Sequence, residues 1–367
     1  MKSINQLIIT LTVCLFSIQA WAQSGKLFNT DNQLSSNLAT QVFQDKSGFI
    51  WIATRNGLNT YDGYHITVMK KDMSNFSGLK SNYINSIAQD DKGHILLGTN
   101  NSLLEFTGSE FHKIPMLDSK GEELATYVKQ VYPLKNKDVA VATSGYGIMI
   151  KKKDAQECHA MKGEVEKLKY IHKLLEDKRG RLWIITEDGK LYRKETNGRV
   201  TSHFVGTEGV NAQDIQQDAL GNIYLASKNQ GVHLLRAGSN VFTRISSIGN
   251  LPIDNIYISR NNKLYIGSDG LGIYVYDPQT GFLQDNPLFS RLVNLAKSKI
   301  TSIIEDNQGN IWVSMLQKGV FMQSNIQNDF NYMGFRLGNL NVIGENCVTS
   351  LSINQGNQVW VGTDKDG

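Results

Sequence analysis

The residue types that most often carry chemistry are scattered along this chain. The seven histidines, His65, His94, His112, His159, His172, His203 and His233, show no metal-ligand spacing, and His159 beside Cys158 does not supply one. Cys158 and Cys347 are far apart in sequence, so neither a disulfide nor a zinc site is indicated. No carboxylate pair or nucleophile constellation stands out, and the pattern implies no cofactor, no metal and no catalytic residue. The residues suited to binding are polar and occur in short loops: Arg55, Asn56, Asn100, Asn101, Tyr146, Glu187, Asp188, Lys228, Asn229, Asp269, Gln317 and Lys318. Rich in amides and near neutral in sum, this set suits a hydroxyl-rich ligand. Taken singly, each is also an ordinary turn residue.

A repeat positions these loops. Phe49 to Thr54 aligns with His94 to Thr99, Asp138 to Thr143, Arg181 to Thr186, Asn222 to Ser227, Lys263 to Ser268, Asn310 to Met315 and Gln358 to Thr363. The third residue of each copy falls at 51, 96, 140, 183, 224, 265, 312 and 360, a mean spacing of about 44. Trp51, Trp183, Tyr224, Tyr265, Trp312 and Trp360 occupy this slot, whereas Leu96 and Ala140 depart from the aromatic pattern. An apolar stretch precedes each copy and leads into a turn such as Asp45-Lys46-Ser47-Gly48 or Asp306-Asn307-Gln308-Gly309. Aspartate bonds its own turn backbone and glycine accepts positive φ, which is hairpin chemistry. A second turn and one or two further strands follow.

Four short antiparallel strands per repeat predict an all-β, seven-bladed β-propeller, followed by the start of an eighth repeat. Blades stack radially, so the slot residues are expected to pack between neighbours. The segment Glu164 to Glu176 also carries a helical spacing, but register with the other copies makes its second half a strand. Strand alternation puts the Asp-x-x-Gly turns at one end of the disc. The loops bearing the polar set lie at the other, with the long connections at 70–82, 116–125 and 285–299.

The first 22 residues read as a secretory signal. Lys2 precedes an apolar run from Leu7 to Ile18, and Ala20-Trp21-Ala22 predicts cleavage after Ala22. The expected divisions are therefore 1–22 signal peptide, 23–330 propeller and 331–367 linker with the opening of an incomplete second propeller. No later segment is apolar enough for a membrane span. A net charge of +4 disfavours a nucleic-acid partner. Lys151-Lys152-Lys153 is answered by Glu157, Glu164 and Glu166 and reads as a solvated surface.

The wording of the first repeat, Asp45 to Gly63, resembles the two-component regulator propeller repeat, and Leu34-Ser35-Ser36-Asn37 resembles the segment that opens the first blade in that family. The resemblance implies the periplasmic sensor region of a hybrid two-component system protein, detecting an oligosaccharide and controlling glycan-utilisation genes. Relatives of full length are implied to be anchored in the inner membrane, with a second propeller and kinase modules, and to dimerise through the sensor region. On that view the chain ending at Gly367 is a truncated form lacking the kinase modules. Two other classes fit a propeller: a carbohydrate-active enzyme, lyase or sialidase-like, and a protein-binding scaffold. The sialidase Asp-box sets its aspartate two residues before glycine, whereas Asp45 and Asp306 stand three before Gly48 and Gly309.

Overall fold

The computed structural model describes residues 25–71, 78–288, 292–325, 347–354, 356 and 358–364. The signal segment and most of the linker lie outside the described residues, as do parts of the connections at 70–82 and 285–299. No helix among the described residues is long and apolar enough to cross a membrane.

Residues 25–325 form one compact unit of seven antiparallel sheets, a seven-bladed propeller. The first strand of each blade is Ala39–Gln44, Ile84–Gln89, Val128–Pro133, Ile171–Glu176, Ala212–Gln217, Ile253–Ile258 and Ile300–Glu305. These strands touch one another in cyclic order, the last against the first, so they line the axis of the disc. Glu164–Lys167 is a short 3-10 turn before Ile171–Glu176, as the repeat register requires. The third blade adds a parallel strand, Met116–Leu117, against Cys158–Ala160.

The slot residue takes the same place in every blade, the second position of the second strand, and faces the next blade. Trp51 packs with Ile84, Ile87 and Leu97, and Trp183 with Ala212, Ile215 and Phe242. Tyr224 packs against Ile253 and Ile256, and Tyr265 against Ile300 and Val313. Where the slot is Leu96 or Ala140 the interface is built of Val128, Val131 and Val141, or of Ile171, Leu174 and Ile184. Thus each interface buries an aliphatic or aromatic set supplied by two blades. Trp360 differs. It sits on a separate two-stranded hairpin, Val348–Ile353 with Val359–Thr363, and is 65% exposed. Among the described residues this hairpin has no third strand, and the inter-blade packing expected of the aromatic slot residues is seen at Trp51, Trp183, Tyr224, Tyr265 and Trp312.

Ring closure was not foreseen from the repeat. The seventh blade has three strands of its own, and its outermost strand is Gly25–Phe28, paired from Gly25 opposite Gln323 to Phe28 opposite Val320. Phe28 is buried, stacks on Trp312 at 5.3 Å and meets Tyr61 of the first blade edge-on at 4.9 Å. Gly319, with φ +80°, leaves room for this strand: a Cβ there would lie 2.0 Å from the Phe28 carbonyl oxygen.

The turn aspartates join turn to core. Asp177 Oδ1 accepts from the amides of Arg179 and Arg181, and Oδ2 accepts from Arg181 Nε and, at 2.9 Å, from the Trp183 indole. Asp45 and Asp306 hold Trp51 and Trp312 in the same way, each at 2.8 Å. Burial pushes Asp177 towards the neutral form, but the Trp183 and Arg181 donors outweigh it and keep the carboxyl below its usual range.

Two stability predictions follow from these contacts. Asp177→Ala strands the indole and guanidinium donors and should lower unfolding free energy in urea by roughly 3 kcal/mol or more. Because the folded pKa of Asp177 is depressed, its contribution is full above the unfolded carboxylate value and is lost as pH falls through the folded one. The gap between wild type and Asp177→Asn should therefore close on acidification. Phe28→Ala, which empties the closure, should cost about 3–5 kcal/mol by the same urea measurement.

Candidate functional site

A polar ring marks the mouth of the axis. In all seven first strands the pairing register shifts at the second residue, leaving Thr40, Asn85, Lys129, His172, Gln213, Asp254 and Thr301 as bulged positions. Each lies eleven residues before the aromatic slot, near the end of the strand that meets the loop face. Thr40, Asn85 and Thr301 donate to main-chain carbonyls of the following blade, at Ile84, Val128 and Ala39.

Around this ring the loops gather two clusters. On one side the Arg55 guanidinium lies over Tyr83 at 5.4 Å, and Tyr83 meets Tyr127 edge-on at 6.1 Å. Tyr127 donates its hydroxyl to Asn85 Oδ1 at 2.7 Å, while Lys129 Nζ sits 4.7 Å from the Tyr127 ring and 3.3 Å from Glu187 Oε1. Burial, with Tyr83 beside it, raises the Tyr127 hydroxyl well above its ordinary pKa, so it stays a neutral donor. On the other side Lys228 and Lys299 face Asp254 and Asp269, with Lys299 2.9 Å from Asp254 and 2.8 Å from Asp269. Burial favours neutral Lys299, but hydrogen bonds and charge from Asp269 and Asp254 prevail and raise its pKa.

His172 belongs to the same ring. Its burial, reinforced by Lys173, brings the imidazole down to about 4, so it is neutral at physiological pH. The two clusters thus hold four cations and three carboxylates, nearly balanced.

From Glu187 the site continues outward over the fourth blade. An open groove of about 470 Å³ is lined by Lys169, Tyr170, Glu187, Asp188 and Tyr192. Tyr170 is 58% exposed there. Behind Tyr192 a second cavity, about 510 Å³, reaches His203, Phe204 and Glu208. Neutral hydroxyl donors, amides and paired charges beside aromatic faces can hydrogen-bond polyols while stacking on their apolar faces.

The structure brings together four of the residues singled out from sequence: Arg55 and Glu187 in the first cluster, Lys228 and Asp269 in the second. Asp188 joins the groove but is engaged by Thr186 and Lys190. The others serve their own loops. The Asn56 main-chain amide donates to Thr54 Oγ1, Asn101 pairs with Thr99 and Ser102, and Asn100 accepts from Ser81. Asn229 is tied to Asn211 and Gly209, and Lys318 Nζ donates to Asn294, Lys297 and Ser298. Gln317 fills a left-handed turn position at φ +68°. Tyr146 stands 44% exposed at a loop tip.

Tyr83, Tyr127, Lys129, His172, Asp254 and Lys299 were missed. The signal that could have found the bulged ones is the polar residue recurring eleven positions before every slot, which strand alternation alone does not mark.

Comparison with known proteins places this arrangement. The two component regulator propeller family matches residues 33–56, 78–101 and 294–317. Among curated proteins no sequence matches. The extracellular domain of BT3049 from B. thetaiotaomicron, described as a hybrid two component system, is similar with a TM-score of 0.73 and 22% identity, over 93% of this chain and 47% of that one. That of BT4673 from the same organism gives 0.69 and 15%, over 94% and 47%. Catalytically inactive virginiamycin B lyase from Staphylococcus aureus, solved with quinupristin, gives 0.62 and 13%, over 83% and 99%. These likenesses establish the fold, and the chain spans about half the length of the two-component neighbours.

The neutral His172 carries a prediction. Between about 6.5 and about 4 the unfolded chain takes up a proton that the folded site resists, so stability should fall as pH drops through that window. His172→Gln should remove that part of the slope in urea midpoints measured across the window; an unchanged slope would contradict the assignment. The matches to the two component regulator propeller model fall on the first two strands and their turns in blades one, two and seven, so these three blades match that family's repeat.

Proposed function

We propose that the chain is the ligand-sensing propeller of a periplasmic two-component regulator, that its ligand is an oligosaccharide, and that in a longer protein this binding controls glycan-utilisation genes. The observation that carries the reading is the convergence of Tyr127, Lys129, Glu187 and Tyr170 on one end of the disc, continuous with an open groove. Such a surface offers stacking area and hydrogen bonds without a strong net charge, which suits a sugar chain. The match of three blades to the two component regulator propeller repeat supports a sensor, and so does the likeness to extracellular domains of two-component proteins. A lyase also appears among the similar folds, but its likeness is one of fold alone.

Calorimetric titration of the chain from Gln23 onward against an oligosaccharide panel, with product analysis in parallel, tests the reading. Binding without turnover is expected for at least one member. Tyr170→Ala and Glu187→Gln should each weaken it about tenfold, or about 1.4 kcal/mol. Alanine at Arg55 and Lys228 should weaken it as well, and alanine at Tyr146 little. Product release, or binding indifferent to all four of the first changes, would overturn the proposal.

A further inference from the structure

At the opposite end of the disc, the second blade alters the turn device that other blades share. In blades one, four and seven the slot indole N–H donates to Oδ2 of the turn aspartate. In blade five, where the slot is Tyr224, the Asn222 amide occupies Oδ2 of Asp218 at 2.8 Å. In blade two the slot is Leu96, which has no donor, and His94 stands where blade five has Asn222 and blade seven Asn310. The third-strand residue facing the slot is also changed. It is Glu105 opposite Leu96, whereas other blades place Thr60, Ile150, Arg193, Leu234, Val275 or Met322 there.

These departures meet at one point. His94 Nδ1 lies 3.2 Å from Glu105 Oε1 and 3.5 Å from Asp90 Oδ2, with all three ligand atoms within 4.8 Å of one another. The side chains of Asp90 and Glu105 are only 4% and 12% exposed, while His94 is 33% exposed and open to solvent. Among the described residues no lysine or arginine forms an ion pair with either carboxylate. Lys46 Nζ goes to the Asp90 main-chain carbonyl instead. Asp90 Oδ1 accepts from the amides of Lys92 and His94, but among the described residues His94 is the one ring or cationic group within ion-pair distance of Asp90 Oδ2 and Glu105 Oε1.

We propose that Asp90 Oδ2, His94 Nδ1 and Glu105 Oε1 bind a divalent transition metal, Zn²⁺ foremost, with water completing the set. Ligands held about 2.0–2.2 Å from zinc in a tetrahedron lie roughly 3.3–3.6 Å apart, close to the two separations from His94 Nδ1, 3.2 and 3.5 Å. One imidazole and two carboxylates form a mixed nitrogen and oxygen set that suits zinc better than calcium, which takes six to eight oxygens. The metal would join the turn to the third strand, standing in for the aspartate–indole bond of other blades. This site is independent of the loop face and of any ligand bound there.

The test uses the chain from Gln23 onward, stripped with EDTA, dialysed, and titrated with ZnCl₂ and with CoCl₂. Expected are about one zinc bound per chain, a raised thermal midpoint, and the visible absorption of tetrahedral cobalt. A His94→Asn, Glu105→Gln double variant keeps the amide that Asp218 and Asp306 accept from, so its fold should be retained by circular dichroism. It should lose the cobalt band and bind zinc more than tenfold more weakly. His159→Gln, which alters an exposed histidine–glutamate pair elsewhere, should change neither. No cobalt band and no zinc-dependent midpoint in the wild type would overturn the proposal. Unreduced affinity in the double variant, or a loss of binding in His159→Gln, would also overturn it.

Discussion

A propeller made of separate sheets has one recurring problem: the inner edge of every first strand has no partner strand. In this chain a side chain from the preceding blade meets that edge. Gln41 accepts from the Ile87 amide and donates to its carbonyl, and Ser86 accepts from Val131. Gln130 accepts from Leu174, Asp214 from Ile256, and Ser302 returns the chain of bonds to Val42. Lys173 cannot accept an amide and instead forms an ion pair, at 3.1 Å, with the buried Asp214. These bonds answer the demand that buried main-chain groups be satisfied, and they fix the angular position of each blade against the next. The bulge lies one residue earlier, so the same local geometry that aims these side chains sideways leaves the preceding one at the mouth of the axis.

That coupling leaves a polar surface at the loop end of the disc. The slot residues and turn aspartates anchor one end and the middle of each blade, and Gly25–Phe28 locks the circle. The other end is free to vary loop by loop without cost to the core. Blades one to four use that freedom for aromatic and cationic side chains, and blades five to seven for a closed set of two lysines and two aspartates. The first of these opens onto the groove that Glu187 lines.

Much of this was legible in the sequence because repetition multiplies a weak signal. One Asp-x-x-Gly turn means little, but the same turn before Trp51, Trp183 and Trp312 fixes strand, register and inter-blade packing together. What escaped was whatever links distant segments. Gly25–Phe28 carries no mark of belonging beside Val320–Gln323, since pairing across the closure is a property of the ring. The site was half visible for a similar reason. Arg55 and Glu187 stand out as non-repetitive loop residues, whereas Tyr83 and Tyr127 end long connections whose paths only the fold determines. Asn101 and Asn229 are as polar as any binding residue, but their side-chain amides are engaged by neighbouring loop segments.

The central claim is that this protein meets its ligand with the loop end of the disc, around Tyr127, Lys129 and Glu187. Hydrogen exchange measured by mass spectrometry, with and without a saturating oligosaccharide, tests it most directly. The account predicts slowed exchange in peptides covering 55–57, 126–130 and 168–190, with the Asp-x-x-Gly turns at 45–48 and 306–309 unchanged. Protection centred on those turns, with the loop end unaffected, would contradict it.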